Sequence, residues 1–212
     1  VPLVVRLWHN DGAPPQTGAL FELCEQIRSQ GLALESAGGE GNLGFGMGVN
    51  RLLRDCNAPY VLVLNQDAIP EPGAIEVLWR QALADEADVA VWEMRQIPFE
   101  HPKLYDPVSQ ETEWISGAAF LARTPALQGL GGFEPRIFMY GEDVDLSWRL
   151  RCAGKRLHYV PRAAVVHRTY ATADEVKPLQ ALEGIYVNLC LRARFAGHRQ
   201  ILQGLSMALG EW

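Results

Sequence analysis

Residues 60–67, Tyr-Val-Leu-Val-Leu-Asn-Gln-Asp, join a continuous apolar run to a polar ending. An apolar run of this length is typical of a strand that is buried on both faces. Strand-like and helix-like segments alternate on either side of it, beginning with a strand at residues 3–8. This alternation predicts an α/β fold with a mostly parallel central sheet flanked by helices. Asn65 and Asp67 then stand at the carboxyl edge of the sheet, where such folds bind ligands.

The remaining elements are predicted from apolar spacing and from turn residues. Residues 96–113 lose all periodicity and are predicted to form a long loop, which at this length is often functional. Residues 1–172 are predicted to form one domain, and residues 173–212 a C-terminal helical extension. The other predicted elements are a helix capped by Thr17 and stopped by Gly31, a strand near 32–35, a helix to Cys56, a helix to Ala84, strands at 88–93 and 118–122, a helix from Thr124, a helix to Gly154, and strands at 157–160 and 164–167.

Composition and charge limit the classes of function. The chain has 212 residues and a formal charge of -6, so there is no basic excess to neutralise the phosphates of a nucleic acid. The four cysteines are widely spaced without a CxxC pattern, which predicts reduced thiols and a cytoplasmic location. No apolar run approaches the ~20 residues that cross a bilayer, and no signal peptide is visible.

A cluster of basic residues lies near the C-terminus and comprises Arg192, Arg194 and Arg199. Such a cluster either forms a patch that contacts a membrane or an anionic lipid, or is a solvated helix face. The first interpretation predicts a peripheral contact at the inner face of the membrane. The oligomeric state cannot be predicted from the sequence.

A glycine-rich loop precedes the second predicted helix. Residues 39–44 match the pattern GxGxxG of dinucleotide-binding proteins, although the acidic residue expected about twenty positions later is not in place. A P-loop is excluded because the chain contains no Gly-Lys-Ser/Thr sequence. Two interpretations remain: a loop with few side chains that a nucleotide approaches closely, or a plain connection.

Two residues are candidates for holding a metal ion. Asp67 follows the buried strand, and one carboxylate together with substrate phosphates is a usual way to hold Mg²⁺ or Mn²⁺. A single Asp in a turn is also a common turn former. His167 ends an apolar strand, where a histidine is usually a hydrogen-bonded core residue. It is a candidate ligand on condition that another strand brings Asp67 beside it.

Three carboxylates stand at the start of a predicted helix, in the segment 138–151. Acidic residues are favoured there by the helix dipole, so a structural role is one interpretation. Asp145 precedes Arg149 by four positions, which predicts a helical ion pair. Glu142 and Asp143 have no such partner, and a carboxylate at this position is suited to act as a general base on a hydroxyl.

An aromatic residue and a glycine precede the predicted strand at 118–122. Trp114 offers a face that suits a sugar ring, although a buried core position is an equal alternative. Gly117 leaves room for a ligand close to the backbone.

In this order the motifs resemble the family 2 inverting glycosyltransferases of the GT-A fold, especially the rhamnosyltransferase-like branch. The resemblance covers most of residues 3–170. The combination of motifs is specific to the family, whereas no single motif is. The matching segments are 42–50, 64–67, 114–119, 131–134, 140–146 and 160–167.

The resemblance implies a GT-A fold and assigns roles by position. Asp67 would hold Mg²⁺ or Mn²⁺ in a variant DxD motif in which Asn65 replaces the first Asp, and His167 would be the second ligand. Asp143 would be the catalytic base, with Glu142 beside it. Trp114 and Gly117 would bind the acceptor or the sugar. The remaining donor-binding positions are Asn10, Asp11, Asn42, Gly44 and Gly46.

The activity implied is metal-assisted transfer of a sugar from a nucleoside-diphosphate donor to a hydroxyl of a glycan or a lipid-linked acceptor. The family normally begins one strand and one helix earlier, with residues that grip the nucleobase. Nothing here corresponds to that unit, so the chain is expected either to be a fragment or to recognise the base incompletely. The alternatives are a non-catalytic module that binds a nucleotide or a glycan within a larger assembly, and a nucleotide-dependent oxidoreductase.

Overall fold

The computed structural model describes residues 3–101, 103–168 and 178–210. Strands and helices alternate along most of this length. In chain order the elements are β1 (Val4–His9), α1 (Ala19–Ser29), β2 (Ala33–Gly38), α2 (Phe45–Leu53), β3 (Tyr60–Leu64), β4 (Ala68–Pro70), α3 (Ala74–Ala84), β5 (Val89–Ile97), β6 (Ala119–Arg123), α4 (Thr124–Gly129), α5 (Glu142–Cys152), β7 (Arg156–His167), α6 (Pro178–Phe195) and α7 (His198–Gly210).

The strands form two sheets in an α/β arrangement. β1 and β2 pair in parallel, and the larger sheet has the order β3-β6-β5-β7-β4. Within the larger sheet only the β5–β7 pairing is parallel, whereas β3–β6, β5–β6 and β4–β7 are antiparallel. The prediction of a mostly parallel sheet is therefore wrong, and the sheet is mixed. The reason is that chain order does not fix strand direction, because β6 enters the sheet between β3 and β5 and runs against both.

One long strand replaces the two short strands that were predicted at 157–160 and 164–167. β7 runs without a break through Pro161. A register shift between Met94 and Arg95 of β5 accommodates the residues around that proline, which cannot donate to the ladder. The second half of β7 therefore continues along β5 and also pairs with the short strand β4.

The larger sheet is buried on both faces, because alternate residues of its strands enter two separate cores. Phe120 and Val91 belong to one core with residues of α2, α4 and α5. Leu121 and Trp92 belong to the other, with residues of α3. Each fully buried apolar side chain of this size contributes about 1.5–3 kcal/mol.

Helix α1 begins without the predicted cap. Its N-cap residue is Gly18, and no side-chain hydrogen bond caps it, so the prediction for Thr17 is wrong. At its end the predicted stop holds, since Gly31 has φ +80° and the backbone of Leu32 bonds back to Ile27.

The C-terminal helix α6 packs across the start of α5. Val187 is 3% exposed, and a Cβ placed on Gly141 would meet its side chain at 2.6 Å. Phe195 packs edge-on against Trp148 with ring centroids 5.3 Å apart. The predicted boundary between residues 172 and 173 lies outside the described residues.

Two of the three arginines near the C-terminus, Arg192 and Arg194, make contacts within the protein. Arg194 forms ion pairs with Asp145 and Glu134, and Arg192 bonds to Asn188 at 2.6 Å and to the carbonyl of Gln200 at 2.9 Å. Arg192 therefore joins α6 to α7. Among the described residues, no helix has the length and apolar content needed to pass through a bilayer.

Candidate functional site

The site forms at the carboxyl edge of the larger sheet, where β3 ends and β4 begins. Strand β4 pairs with the end of β7 so that Ala68 lies opposite His167. This register brings Asp67 beside the histidine, with 3.2 Å between Asp67 Oδ1 and His167 Nε2. The structure thus meets the condition under which His167 was proposed as a ligand. Asp67 remains half exposed, whereas the His167 side chain is 7% exposed.

A hydrogen bond from β5 sets the orientation of the His167 ring. His167 Nδ1 lies 2.7 Å from Gln96 Oε1, and this contact leaves Nε2 facing Asp67. An imidazole nitrogen and a carboxylate oxygen therefore lie side by side at one position of the sheet edge. An imidazole and a carboxylate, completed by diphosphate oxygens and water, suit Mn²⁺ or Mg²⁺. Within the described residues no group of three or more His, Cys, Asp or Glu side chains is arranged to hold a metal ion.

Asp143, the predicted base, is held by two backbone groups. Its Oδ2 accepts from the N–H of Gly117 at 2.9 Å, and its Oδ1 accepts from the N–H of Val144 at 2.8 Å. Burial raises the pKa of Asp143, while these two hydrogen bonds and the charges of His101 and Lys103 act in the opposite direction. The carboxyl group is therefore oriented at the start of α5, and the net effect of its surroundings is a raised pKa.

A turn at residues 114–117 connects the base with the candidate metal pair. Gly117 binds Asp143, and the carbonyl of the next residue, Ala118, accepts from the N–H of Asn65 at 2.9 Å. A Cβ on Gly117 would lie 2.9 Å from the ring of Phe45, so a side chain there would require the ring to shift. Asp143 and the segment that begins at Asn65 are therefore linked through two successive residues.

Glu142 is the buried neighbour of Asp143. It is 5% exposed, and among the described residues its Oε2 has no hydrogen-bond partner. Burial, together with the charge of Asp143, raises the pKa of Glu142 to about 8. Glu142 therefore keeps its proton at neutral pH, which separates it chemically from Asp143.

Sequence reasoning missed two charged residues behind the 114–117 turn. Lys103 Nζ lies 2.7 Å from Glu93 Oε2, and each side chain is only 2% exposed. Lys103 also donates to the carbonyl of Trp114 at 2.8 Å and lies 3.7 Å from the centroid of its ring. The signal in the sequence was Glu93 itself, an acidic residue within the apolar strand 89–94.

His101 also lies at this site and was not predicted. Its ring packs edge-on against Trp114 with centroids 5.8 Å apart, and its pKa is influenced by the charge of Asp143. Burial lowers the pKa of His101 from its ordinary value, and the charge of Asp143 opposes this shift. The part of the 96–113 loop that enters the site thus brings two side chains, His101 and Lys103, that both oppose protonation of Asp143.

The glycine-rich loop is folded against β1 by two asparagines. Asn10 accepts from the N–H of Leu43 at 3.2 Å and donates to the carbonyl of Gly44 at 3.2 Å, and Asn42 accepts from the N–H of Gly44 at 2.9 Å. The side chains of Asn10 and Asn42 thereby shape the loop. Asp11 is exposed beside them.

Two glycines, one at the end of this loop and one in the first turn of α2, allow close packing near the base. Gly44 has φ +79°, and a Cβ there would lie 2.0 Å from the carbonyl oxygen of Phe138. A Cβ on Gly46 would lie 2.8 Å from Phe133 and 3.5 Å from Glu142. The predicted donor loop therefore lies against the segment that leads into α5.

Asp145 forms the predicted ion pair with Arg149, at 2.7 Å. It is 2% exposed and also pairs with Arg194 of α6. Arg149 donates in addition to the carbonyls of Leu130 and Gly132, at 3.2 and 2.8 Å. These contacts join three segments of the chain, which explains Asp145 without a role in the site.

Residues 11–140 match the model of Glycosyl transferase family 2. The chain belongs to this family. The match includes the glycine-rich loop, Asp67 and the 114–117 turn, and it ends just before Glu142 and Asp143.

Curated relatives of the chain are bacterial glycosyltransferases. An N-acetylglucosaminyl-diphospho-decaprenol L-rhamnosyltransferase of Mycobacterium tuberculosis is 32% identical over 172 residues, covering 59% of this chain and 56% of the relative. Rhamnosyltransferase WbbL of Escherichia coli K12 is 44% identical over 62 residues, covering 29% of this chain and 23% of the relative. The chain spans about half the length of the first of these relatives and about a quarter of the second.

Solved structures of glycosyltransferases share the fold. The mannosyltransferase PcManGT from Pyrobaculum calidifontis, in complex with GDP-Man and Mn²⁺, has a TM-score of 0.60 and 15% identity, covering 99% of this chain and 71% of that one. S. aureus TarS 1-349 in complex with UDP has a TM-score of 0.61 and 15% identity, covering 90% of this chain and 55% of that one. At these identities the likeness concerns the fold alone, and it confirms the predicted GT-A-like architecture.

Proposed function

We propose that the chain is the catalytic part of an inverting glycosyltransferase that moves a sugar from a nucleoside-diphosphate donor to a hydroxyl of a lipid-linked saccharide. The observation that carries this proposal is that Asp67 and His167 lie 3.2 Å apart at the sheet edge, where a backbone hydrogen bond links Asn65 to the turn that holds Asp143. Membership of Glycosyl transferase family 2 supports the reaction class.

Asp67 and His167 would hold Mn²⁺ or Mg²⁺, with the donor diphosphate supplying further oxygens. The bound ion would neutralise the charge that develops on the departing nucleoside diphosphate. Two of the similar solved structures, PcManGT and GalNAc-T7, contain Mn²⁺ together with a nucleotide or a nucleotide sugar. Gln96 would keep the His167 ring in the orientation that this requires.

Asp143 would act as the general base. Its carboxylate takes the proton from the acceptor hydroxyl as that oxygen forms a bond to the anomeric carbon. The bond between the anomeric carbon and the diphosphate oxygen breaks on the opposite face, and the electron pair leaves with the nucleoside diphosphate. A single displacement of this kind inverts the anomeric configuration. The hydrogen bonds from Gly117 and Val144 hold the carboxylate for this step.

The relatives suggest the chemical class of the substrates. The M. tuberculosis relative is named for L-rhamnose transfer to N-acetylglucosaminyl-diphospho-decaprenol, and WbbL is also a rhamnosyltransferase. A 6-deoxyhexose donor and a polyprenyl-diphosphate sugar acceptor are therefore the first candidates. Trp114 and Gly117, with His101 beside them, would face the acceptor sugar, and Asn65 and the loop 42–46 would face the donor. Such an acceptor implies work at a membrane surface on the cytoplasmic side.

The test is a panel of nucleotide sugars with Mn²⁺ and a polyprenyl-diphospho-N-acetylglucosamine acceptor. The proposal expects one donor to release nucleoside diphosphate and to give a product of inverted configuration, with loss of activity on chelation. Tight binding of a nucleotide without release of nucleoside diphosphate, across the panel, would instead indicate the non-catalytic binding module.

A further inference from the structure

Lys103 is a buried cation to which the proposed mechanism gives no role. We propose that Lys103 is a positioning residue for Asp143: it fixes the 114–117 turn that holds this base, and it brings a positive charge to the same side of the site. The inference rests on the proposed function and deepens it, since it names a residue that would act on the reaction through the base.

The surroundings of Lys103 leave its ammonium group fully partnered. Glu93 Oε2 lies 2.7 Å away, the Trp114 carbonyl accepts at 2.8 Å, and the centroid of the Trp114 ring is 3.7 Å from Nζ. Both charged side chains are 2% exposed. A buried charge is costly unless its partners are well placed, so this lysine is held in one position.

The ion pair between Lys103 and Glu93 holds the same turn that holds Asp143. Lys103 binds the carbonyl of Trp114, the N–H of Ser116 bonds to Glu93, and the N–H of Gly117 bonds to Asp143. The ion pair and the base thus bind neighbouring peptide groups of one turn. Loss of Lys103 would release one side of this turn. A displacement of a catalytic group by about 1 Å can lower the reaction rate a hundredfold.

Several titratable side chains influence the pKa of Asp143. Three elements bring titratable groups toward it: Glu142 on α5 itself, Glu93 on β5, and His101 with Lys103 on the 98–113 segment. Burial raises the pKa of Glu93 to about 7 and lowers the pKa of His101. Within the described residues that act on Asp143, His101 and Lys103 both oppose protonation of the base, and Lys103 is the one held in place by an ion pair and by the 114–117 turn.

The test compares Lys103→Met with the unaltered protein in the rhamnosyl-transfer assay across pH. The inference expects kcat at pH 7 to fall at least about tenfold, with donor affinity within about twofold. It also expects the acidic limb of kcat/KM to move up by about one pH unit, because an opposite charge nearby lowers a carboxyl pKa by this order. Lys155→Met, beyond the far end of α5, is the matched control and should change neither quantity.

Two further variants separate charge from packing. Lys103→Arg keeps the charge and should restore the position of the acidic limb. Glu93→Gln breaks the same ion pair without removing positive charge, so the acidic limb should not rise. If Lys103→Met alone does not fold, as judged by thermal unfolding, Glu93→Gln is compared with the double variant Glu93→Gln/Lys103→Met, and the limb should be higher in the double variant.

An acidic limb that is unchanged in folded Lys103→Met, or an effect confined to donor affinity, would overturn the inference. Absence of transfer by the unaltered protein with every donor would contradict the proposed function instead. In that case the inference is tested by titrating the carbon-13 carboxyl signal of Asp143, which is assigned by comparison with Asp143→Asn. The inference requires a higher pKa of Asp143 in Lys103→Met than in the unaltered protein.

Discussion

Asp67 Oδ1 and His167 Nε2 lie 3.2 Å apart, although a hundred residues separate them in the chain. The antiparallel pairing of β4 with β7 sets this distance through the register Ala68–His167. Behind the pair, Gln96 fixes the ring of the histidine at 2.7 Å. A cation at this position would therefore meet side chains that the sheet has already oriented.

The pair predicts how Gln96 contributes to metal binding. Gln96→Leu should weaken Mn²⁺-dependent binding of nucleoside diphosphate about tenfold, because partners behind a metal ligand typically contribute 10–100-fold. His167→Ala should abolish the Mn²⁺ dependence. Calorimetric titration of UDP, GDP and dTDP with and without Mn²⁺ measures both effects, and Gln203→Leu on α7 is the control. Equal Mn²⁺ dependence in Gln96→Leu and the unaltered protein would show that the ring needs no such support.

Gly44 predicts a large loss of stability on substitution. Gly44→Ala places a Cβ at φ +79° and 2.0 Å from the backbone oxygen of Phe138, which cannot move aside cheaply. We expect the free energy of unfolding to fall by at least about 2 kcal/mol. Gly129→Ala is the matched control, since nothing lies within 4 Å of its Cβ position. Urea unfolding that gives the same midpoint for both variants would contradict the packing described for this loop.

Glu142 predicts a dependence of stability on pH. Its pKa is raised from 4.5 to about 8 in the folded protein, so the folded state retains this proton more tightly than the unfolded state. The group thus lowers stability as pH rises from about 4.5, and the loss is complete above about 8. Glu142→Gln removes the effect, so its stability relative to the unaltered protein should rise with pH over that window, by at most about 1.4 kcal/mol per unit. If the free energies of urea unfolding of the two proteins change in parallel from pH 5 to pH 8, the raised pKa of Glu142 is disproved.

Local sequence was sufficient for most strands and for the motifs of the site. The run at 60–64 forms β3 with the predicted bounds, and Asp145 forms its ion pair with Arg149 as the spacing of four predicts. Both outcomes depend on neighbours within a few residues. The family resemblance rested on the order of such local segments, and the match over residues 11–140 confirms it.

Features that depend on distant pairing were beyond the sequence. The three-residue strand β4 is too short to show periodicity, so neither its existence nor its antiparallel direction could be predicted. Lys103 lies in a polar loop, where a lysine is normally solvated, and its burial depends on Glu93 and Trp114 from other segments. A single acidic residue in an apolar strand indicated that a partner was needed, but not which one.

The central claim is that Asp143 is the base of the transfer, and Asp143→Asn tests it most directly. The substitution keeps the size of the side chain and removes its capacity to take a proton. The turnover rate is measured at saturating donor and acceptor, donor affinity is measured in parallel, and Asp55→Asn on the surface serves as the control. We expect turnover to fall at least about a hundredfold while donor affinity stays within about twofold. Near-normal turnover by Asp143→Asn would contradict the account.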